Sequence, residues 1–147
     1  MIAFESLKDY SLFGGLLPEE LECLRPLLET KSYAAGEVIL REGTPNESIH
    51  FILEGAVSIE RAGTSLATLG EGDTFGEMEF LDVMPAVATV VARAPTTVAM
   101  ISNRALRELS KASMRAFALV VMNLARDLSR RLRRMDELVA GLPSGAR

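Results

Sequence analysis

From Gly36 to Gly76 the chain is cut by glycines at 36, 43, 55, 63, 70, 72 and 76 into apolar-rich pieces. The pieces between them, such as Glu37-Val38-Ile39-Leu40-Arg41, Ser48 to Leu53 and Ala56 to Arg61, have the length and β-branched content of strands. Two more strand-like runs follow, Ala86 to Arg93 and Thr96 to Ser102. Roughly eight short strands at this spacing predict a mainly β fold with flanking helices, an antiparallel β-sandwich or jelly roll. The glycines are explained by the backbone angles of the turns and need no ligand.

Helical signals flank this region. Leu7 to Phe13 is amphipathic, and Pro18 to Thr30 carries Leu21, Leu24, Leu27 and Leu28 at helical spacing, with Pro18 suited to the first helical position. From Lys111 to about Ala140 there is no Pro or Gly. Met114, Phe117, Val121, Leu124, Leu128, Met135 and Leu138 there fall at alternating steps of three and four, and Arg131 is the one step in the series that is not apolar. This predicts a long helix with a near-heptad seam, which must pack on its own sandwich or on another chain. The division expected is a sandwich with its N-terminal helices over 1–110, a helix over 111–140 and a tail over 141–147.

At 147 residues the chain has room for one ordinary domain with an accessory element. Hydrophobic residues at 48% and charged residues at 24% match a folded soluble protein and exclude a disordered one. A net charge of −4 gives no general reason to expect nucleic acid. The arginines at 126, 130, 131, 133 and 134 read as a solvated helical face partly balanced by Asp127, Asp136 and Glu137. No apolar run approaches the length of a membrane span and no basic leader opens the chain, so a cytoplasmic location without membrane association is expected. The single Cys23, expected in the core of the first helix, agrees with a reducing compartment.

The stretch Phe75 to Ala92, FGEMEFLDVMPAVATVVA, resembles the phosphate-binding cassette of the cyclic-nucleotide-binding domain family, whose pattern is F-G-E, a short helix, then P-R-x-A-[ST]-[VI]. The similarity extends to the lead-in LKDYSLFGGLLPEELECL and to AAGEVILREGTPNESIHFILEGAVSIE. It implies the cyclic-nucleotide-binding-like sandwich followed by a long C-terminal helix. It also implies a ligand site in which Glu77 accepts a ribose hydroxyl, the backbone of Gly76 and Met78 approaches the phosphate, and Thr89 hydrogen-bonds the phosphate or base.

Two cassette positions depart from that pattern. Ala86 stands where the family has the phosphate-binding arginine, and Glu79 stands where it has a small residue. A carboxylate about 5 Å from a phosphate, at an effective dielectric of about 20, costs on the order of 3 kcal/mol. Loss of a buried charge partner costs roughly 3–5 kcal/mol more. The first turn of the cassette helix would still offer unpaired N–H groups to an anion, or simply cap itself.

The architecture also resembles bacterial regulators of the cyclic-AMP receptor protein type, in which the long helix forms a homodimer and a helix-turn-helix domain follows. Here the chain reaches Gly141 and ends at Arg147 after Pro143-Ser144-Gly145, so no DNA-binding domain is expected. The homodimer is expected through Met114, Phe117, Val121, Leu124, Leu128, Met135 and Leu138.

No catalytic or metal-binding constellation stands out. His50 and Cys23 lie in no nucleophile or zinc motif, and there is no Gly-x-x-x-x-Gly-Lys loop. His50 is expected to be a strand histidine with a satisfied hydrogen bond. The chain is expected to be non-enzymatic and to require no cofactor, cyclic nucleotide being the possible ligand. Three functions remain open: a sensor of an unidentified ligand, a dimeric scaffold with a protein partner, and a signalling protein that binds cyclic AMP or cyclic GMP. An arginine from elsewhere, Arg93 or one from a second protomer, is a candidate replacement for the one absent at position 86.

Overall fold

The computed structural model describes Leu7 and residues 9–141. The tail expected over 141–147 lies, past Gly141, outside the described residues. Eight strands form two four-stranded sheets: β1 Glu29–Tyr33, β2 Val38–Leu40, β3 Ser48–Glu54, β4 Ala56–Arg61, β5 Thr64–Gly70, β6 Thr74–Phe75, β7 Thr89–Ala92 and β8 Thr96–Ser102. One sheet has the order β1-β8-β3-β6 and the other β2-β7-β4-β5, with every pairing antiparallel. This is the expected β-sandwich. Among the described residues four longer helical segments accompany it: α1 Pro18–Leu24, α2 Glu77–Asp82, α3 Asn103–Ala112 and α4 Met114–Val139.

The β1-β8-β3-β6 sheet is the middle of three layers. Ile49 and Phe51 of β3 and Ala99 and Ile101 of β8 join a cluster with Leu12, Phe13, Leu109, Val120 and Leu124 on the helical side. Ile52 and Val98 from the same two strands meet Leu40, Val57 and Val90 between the sheets. A strand covered on both sides loses the apolar-polar alternation of a half-exposed one, which is why Ile49-His50-Phe51-Ile52 is buried without a break.

Several boundaries differ from those the sequence predicts. The helix expected over Pro18 to Thr30 ends at Leu24, passes through a single 3₁₀ turn at Arg25–Leu27, and becomes β1 at Glu29. Pro26 has no N–H to continue an α-helix, and β1 is an edge strand whose residues are mostly exposed, so it carries no apolar alternation. Cys23, expected in the core, is exposed. The run expected as a strand from Ala86 becomes one only at Thr89. The long C-terminal helix is preceded by a separate helix, and the break falls at Ser113. Its extended backbone (φ −155°, ψ 104°) stops α3, and its Oγ accepts the Ala116 N–H at 3.1 Å to start α4.

Polar contacts hold α4 on its own sandwich. Asn123 donates through Nδ2 to the carbonyls of Leu12 (3.1 Å) and Gly14 (2.9 Å). Ser113 Oγ and Arg115 Nη1 both donate to the buried Glu20, at 3.0 and 2.5 Å. These bonds fix which face of α4 turns inward: Ala116, Val120 and Leu124 are fully buried, and Phe117 and Leu128 pack against the same cluster.

Candidate functional site

The cassette begins where β6 ends. Gly76, in the left-handed region at φ +81°, turns the chain from β6 into α2. A Cβ there would lie 2.6 Å from Asn46 Nδ2 and 3.0 Å from His50 Nδ1, so the turn needs glycine for space as well as for its backbone angle. Asn46 Nδ2 also donates to Gly76 O at 3.0 Å, tying the turn to the loop before β3.

α2 then carries Glu77, Met78 and Glu79 along one wall of a cavity of about 510 Å³. Leu40, Ile59, Leu69 and Val90 from the second sheet, and Met135 and Leu138 from the end of α4, supply aliphatic walls. The volume falls in the range of roughly 300–1,000 Å³ typical of small-molecule sites.

Arg131 is the residue that organises this cavity. It reaches from α4 across to the cassette, where its Nη1 donates to Glu77 Oε1 and its Nη2 donates to Thr74 O at 2.6 Å and Thr74 Oγ1 at 2.8 Å. Glu77 is only 3% exposed. Burial raises its pKa above the usual carboxylate range, and the Arg131 charge opposes that rise. Its second oxygen, Oε2, is buried and has no hydrogen-bond partner in another described residue. Glu79, also buried, has its carboxyl pushed upward, by burial first and by the neighbouring Glu77 charge as well. His50, behind the cassette, stacks on Phe75 with ring centroids 4.8 Å apart. Burial pushes its pKa down to about 4, opposed by a hydrogen bond with the Ser48 backbone.

The expected site residues separate into two groups. Gly76, Glu77, Met78 and Glu79 do line one cavity. Thr89 does not: its Oγ1 accepts the Glu42 N–H at 3.0 Å, across the mouth of β7. Ala86 is buried in the apolar cluster between the sheets, and its backbone is pinned to the Gly43-Thr44 turn by two 2.8 Å hydrogen bonds. Of the candidate replacement arginines, Arg93 pairs instead with Glu60 at 3.1 Å on the surface. Arg131 of the same chain reaches the cassette, a role the sequence analysis did not assign. Its signal was present all the same, as the one charged step in an otherwise apolar seam.

Of that seam, Leu124 is spent on the protein's own core, with Phe117 and Leu128 packed beside it, while Met114, Val121, Met135 and Leu138 are exposed. Met135 and Leu138 line the cavity. A second apolar row emerges on the outer face of α4, Met114, Ala118, Val121, Ala125, Leu128, Leu132, Met135 and Val139, spaced alternately by four and three; all but Leu128 are exposed. Among the described residues there is no helix long and apolar enough to cross a membrane and no metal-ligand cluster.

Comparison with known proteins agrees with this architecture. Residues 30–113 match the family model described as the cyclic nucleotide-binding domain. The chain is 33% identical over 135 residues to the cyclic AMP receptor protein of Thermus thermophilus, covering 88% of this chain and 61% of that protein. It thus spans about three fifths of that relative. A cyclic nucleotide-binding domain from Methylobacillus flagellatus superposes with a TM-score of 0.83 at 27% identity, covering 98% of this chain and 84% of that one. The regulatory subunit of a cAMP-independent protein kinase A from Trypanosoma brucei superposes with a TM-score of 0.71 at 27% identity, covering 84% of this chain and 43% of that one. With the family match spanning more than half of the sequence and the cassette glycine, its acidic helix and the sandwich all in place, this chain belongs to the cyclic nucleotide-binding domain family.

Proposed function

We propose that this domain is a non-catalytic sensor. A small molecule occupies the cavity between the cassette and the second sheet, and α4 reports its presence. The observation that carries the reading is the Arg131 bridge: one side chain on α4 joins Glu77 and Thr74 at the wall of the cavity. A ligand that engages Glu77 must either keep that bridge or compete with it, so occupancy and the position of α4 are linked.

Cyclic AMP or cyclic GMP is the alternative ligand suggested by the family. The cassette disfavours it, because Ala86 offers no charge, Glu79 opposes a phosphate, and Arg131 is already neutralised by Glu77. A neighbour of similar fold is the regulatory subunit of a protein kinase A described as cAMP-independent.

The outer row of α4 supports a second element of the reading. Eight apolar positions at heptad spacing, most of them exposed, suit a parallel partner helix from a second copy. The dimer seam is then this outer row, sharing Met114, Val121, Leu128 and Met135 with the one read from sequence.

The test does not require a known ligand. Hydrogen exchange of α4 should rise over 126–139 in Arg131→Gln and stay unchanged over 114–124, which Asn123 and the buried core hold independently. Unchanged exchange over 126–139 would mean that the bridge does not hold the helix and that the coupling is absent. Calorimetric titration with both cyclic nucleotides to millimolar concentration decides the alternative: tight saturation makes the protein a nucleotide sensor.

A further inference from the structure

The outer apolar row of α4 fixes which residues flank it. With Leu128 and Met135 at d and Leu132 and Val139 at a, Arg131 stands just before an a residue, at g, and Asp136 just after a d residue, at e. In a parallel two-stranded coil a g side chain lies beside the e side chain five residues further along the other helix, and these positions carry the interhelical ion pairs. Arg131 and Asp136 have that spacing and opposite charge. The other pairs of the kind within α4, Phe117 with Met122 and Leu124 with Ser129, are uncharged.

Both side chains are suited to the contact. The bonds to Glu77 and Thr74 use three of the five N–H groups that a guanidinium carries. The Arg131 side chain is 31% exposed, so part of it remains open to a second chain. Asp136 is exposed and sits in the last turn of α4, where a carboxylate opposes the helix dipole. Arg133, three residues before it, is the alternative partner within the same helix.

We propose that the partner subunit's Asp136 completes the Arg131 bridge, so that in the dimer each Arg131 lies between Glu77 of its own cassette and Asp136 of the partner subunit. The inference rests on the dimer seam proposed above and adds a residue from the second copy to the cassette site. Each cassette is then braced by both helices. A ligand that draws Arg131 away from Glu77 alters the contact between the chains at the same time.

The register is tested first, with Leu132→Cys made in the full-length chain together with Cys23→Ser, which removes the exposed native thiol. Two a-position thiols meet only in a parallel seam, so oxidation with copper phenanthroline should give a disulfide-linked dimer on non-reducing electrophoresis. Hydrogen exchange over 126–139 then reads the pair. In the linked dimer Asp136→Asn should speed exchange there by about two- to fivefold, the worth of a partly exposed ion pair. In the Val121→Glu monomer the same change should leave exchange as it was or slow it, because it relieves the opposition to the helix dipole. The acceleration in the linked dimer should persist beside Arg133→Gln and vanish beside Arg131→Gln.

An Asp136→Asn effect that is absent from the linked dimer, equal in the monomer, removed by Arg133→Gln or retained with Arg131→Gln would overturn the inference and leave the dimer seam standing. Failure of Leu132→Cys to cross-link would overturn the parallel seam and the inference together, whatever mass light scattering gives, and would leave the sensor reading untouched.

Discussion

Replacing Arg131 by Met isolates the bridge, because the substitution keeps an unbranched apolar stem and removes the charge. Glu77 would then be a carboxylate, 3% exposed, with neither oxygen paired by another residue of the site. It can respond by staying ionised or by taking a proton. An unpaired buried charge costs roughly 3–5 kcal/mol. Protonation is the cheaper escape: relative to an ordinary carboxyl pKa of 4.5, holding the proton at pH 7 costs about 3 kcal/mol, at 1.36 kcal/mol per pH unit. The lesser cost sets the destabilisation at about 3 kcal/mol near neutrality and about 1.4 kcal/mol at pH 5.5.

The sign follows from linkage. With its folded pKa raised above the unfolded value, Glu77 binds a proton in the native state that the unfolded chain has lost, so stability falls as pH rises above 4.5. In the wild type Arg131 limits this loss; in the variant the loss continues to higher pH. For a chain of this size, 1 kcal/mol moves the melting temperature by roughly 2–4 °C. Differential scanning calorimetry should therefore give a deficit against wild type of about 6–12 °C at pH 7 and about 3–6 °C at pH 5.5. Arg134→Met, which removes an exposed arginine, should lie close to wild type at both. An Arg131→Met deficit no larger than that control, or one independent of pH, would refute the reasoning.

Three further outcomes follow from the same geometry. His50 is held neutral with its pKa near 4 against an ordinary 6.5, so it contributes stability that is present above pH 6.5 and lost towards pH 4 at up to about 1.4 kcal/mol per unit; chemical denaturation of His50→Gln across that window should show a flatter pH profile. Glu79→Ala should tighten any residual cyclic AMP binding by about tenfold or more at pH 7.5, with a smaller gain as pH falls towards the raised pKa of Glu79; calorimetric affinities that match wild type throughout would remove Glu79 from the account. Val121→Glu, on the exposed outer row of α4, should yield a folded monomer by light scattering, and a mass equal to that of wild type would place any dimer elsewhere.

Much of the fold was legible before any coordinates. The glycines between 36 and 76 impose turns at fixed intervals, and turns at that spacing leave room for strands only, so the sandwich followed from local backbone chemistry. The cassette was legible through its resemblance to the family pattern, and the structure turns the chain at Gly76 into α2 as that resemblance implies. Errors gathered where local signals conflict with tertiary cover. Leu27 and Leu28 extend the apolar spacing of a helix that Pro26 breaks, and β1 is an exposed edge strand with no pattern of its own.

The site itself was decided by the tertiary structure. Arg131 is 54 residues from Glu77 in sequence, and no local rule links them. The link depends on which face of α4 turns inward, and that is set by Asn123 on the Leu12 and Gly14 carbonyls and by Ala116, Val120 and Leu124 in the core. Sequence alone determined that position 86 is alanine and position 79 glutamate, because residue identity needs no fold. That Arg131 reaches the cassette and is spent on Glu77 and Thr74 depended on long-range packing, since a side chain's partners are fixed only when distant elements meet.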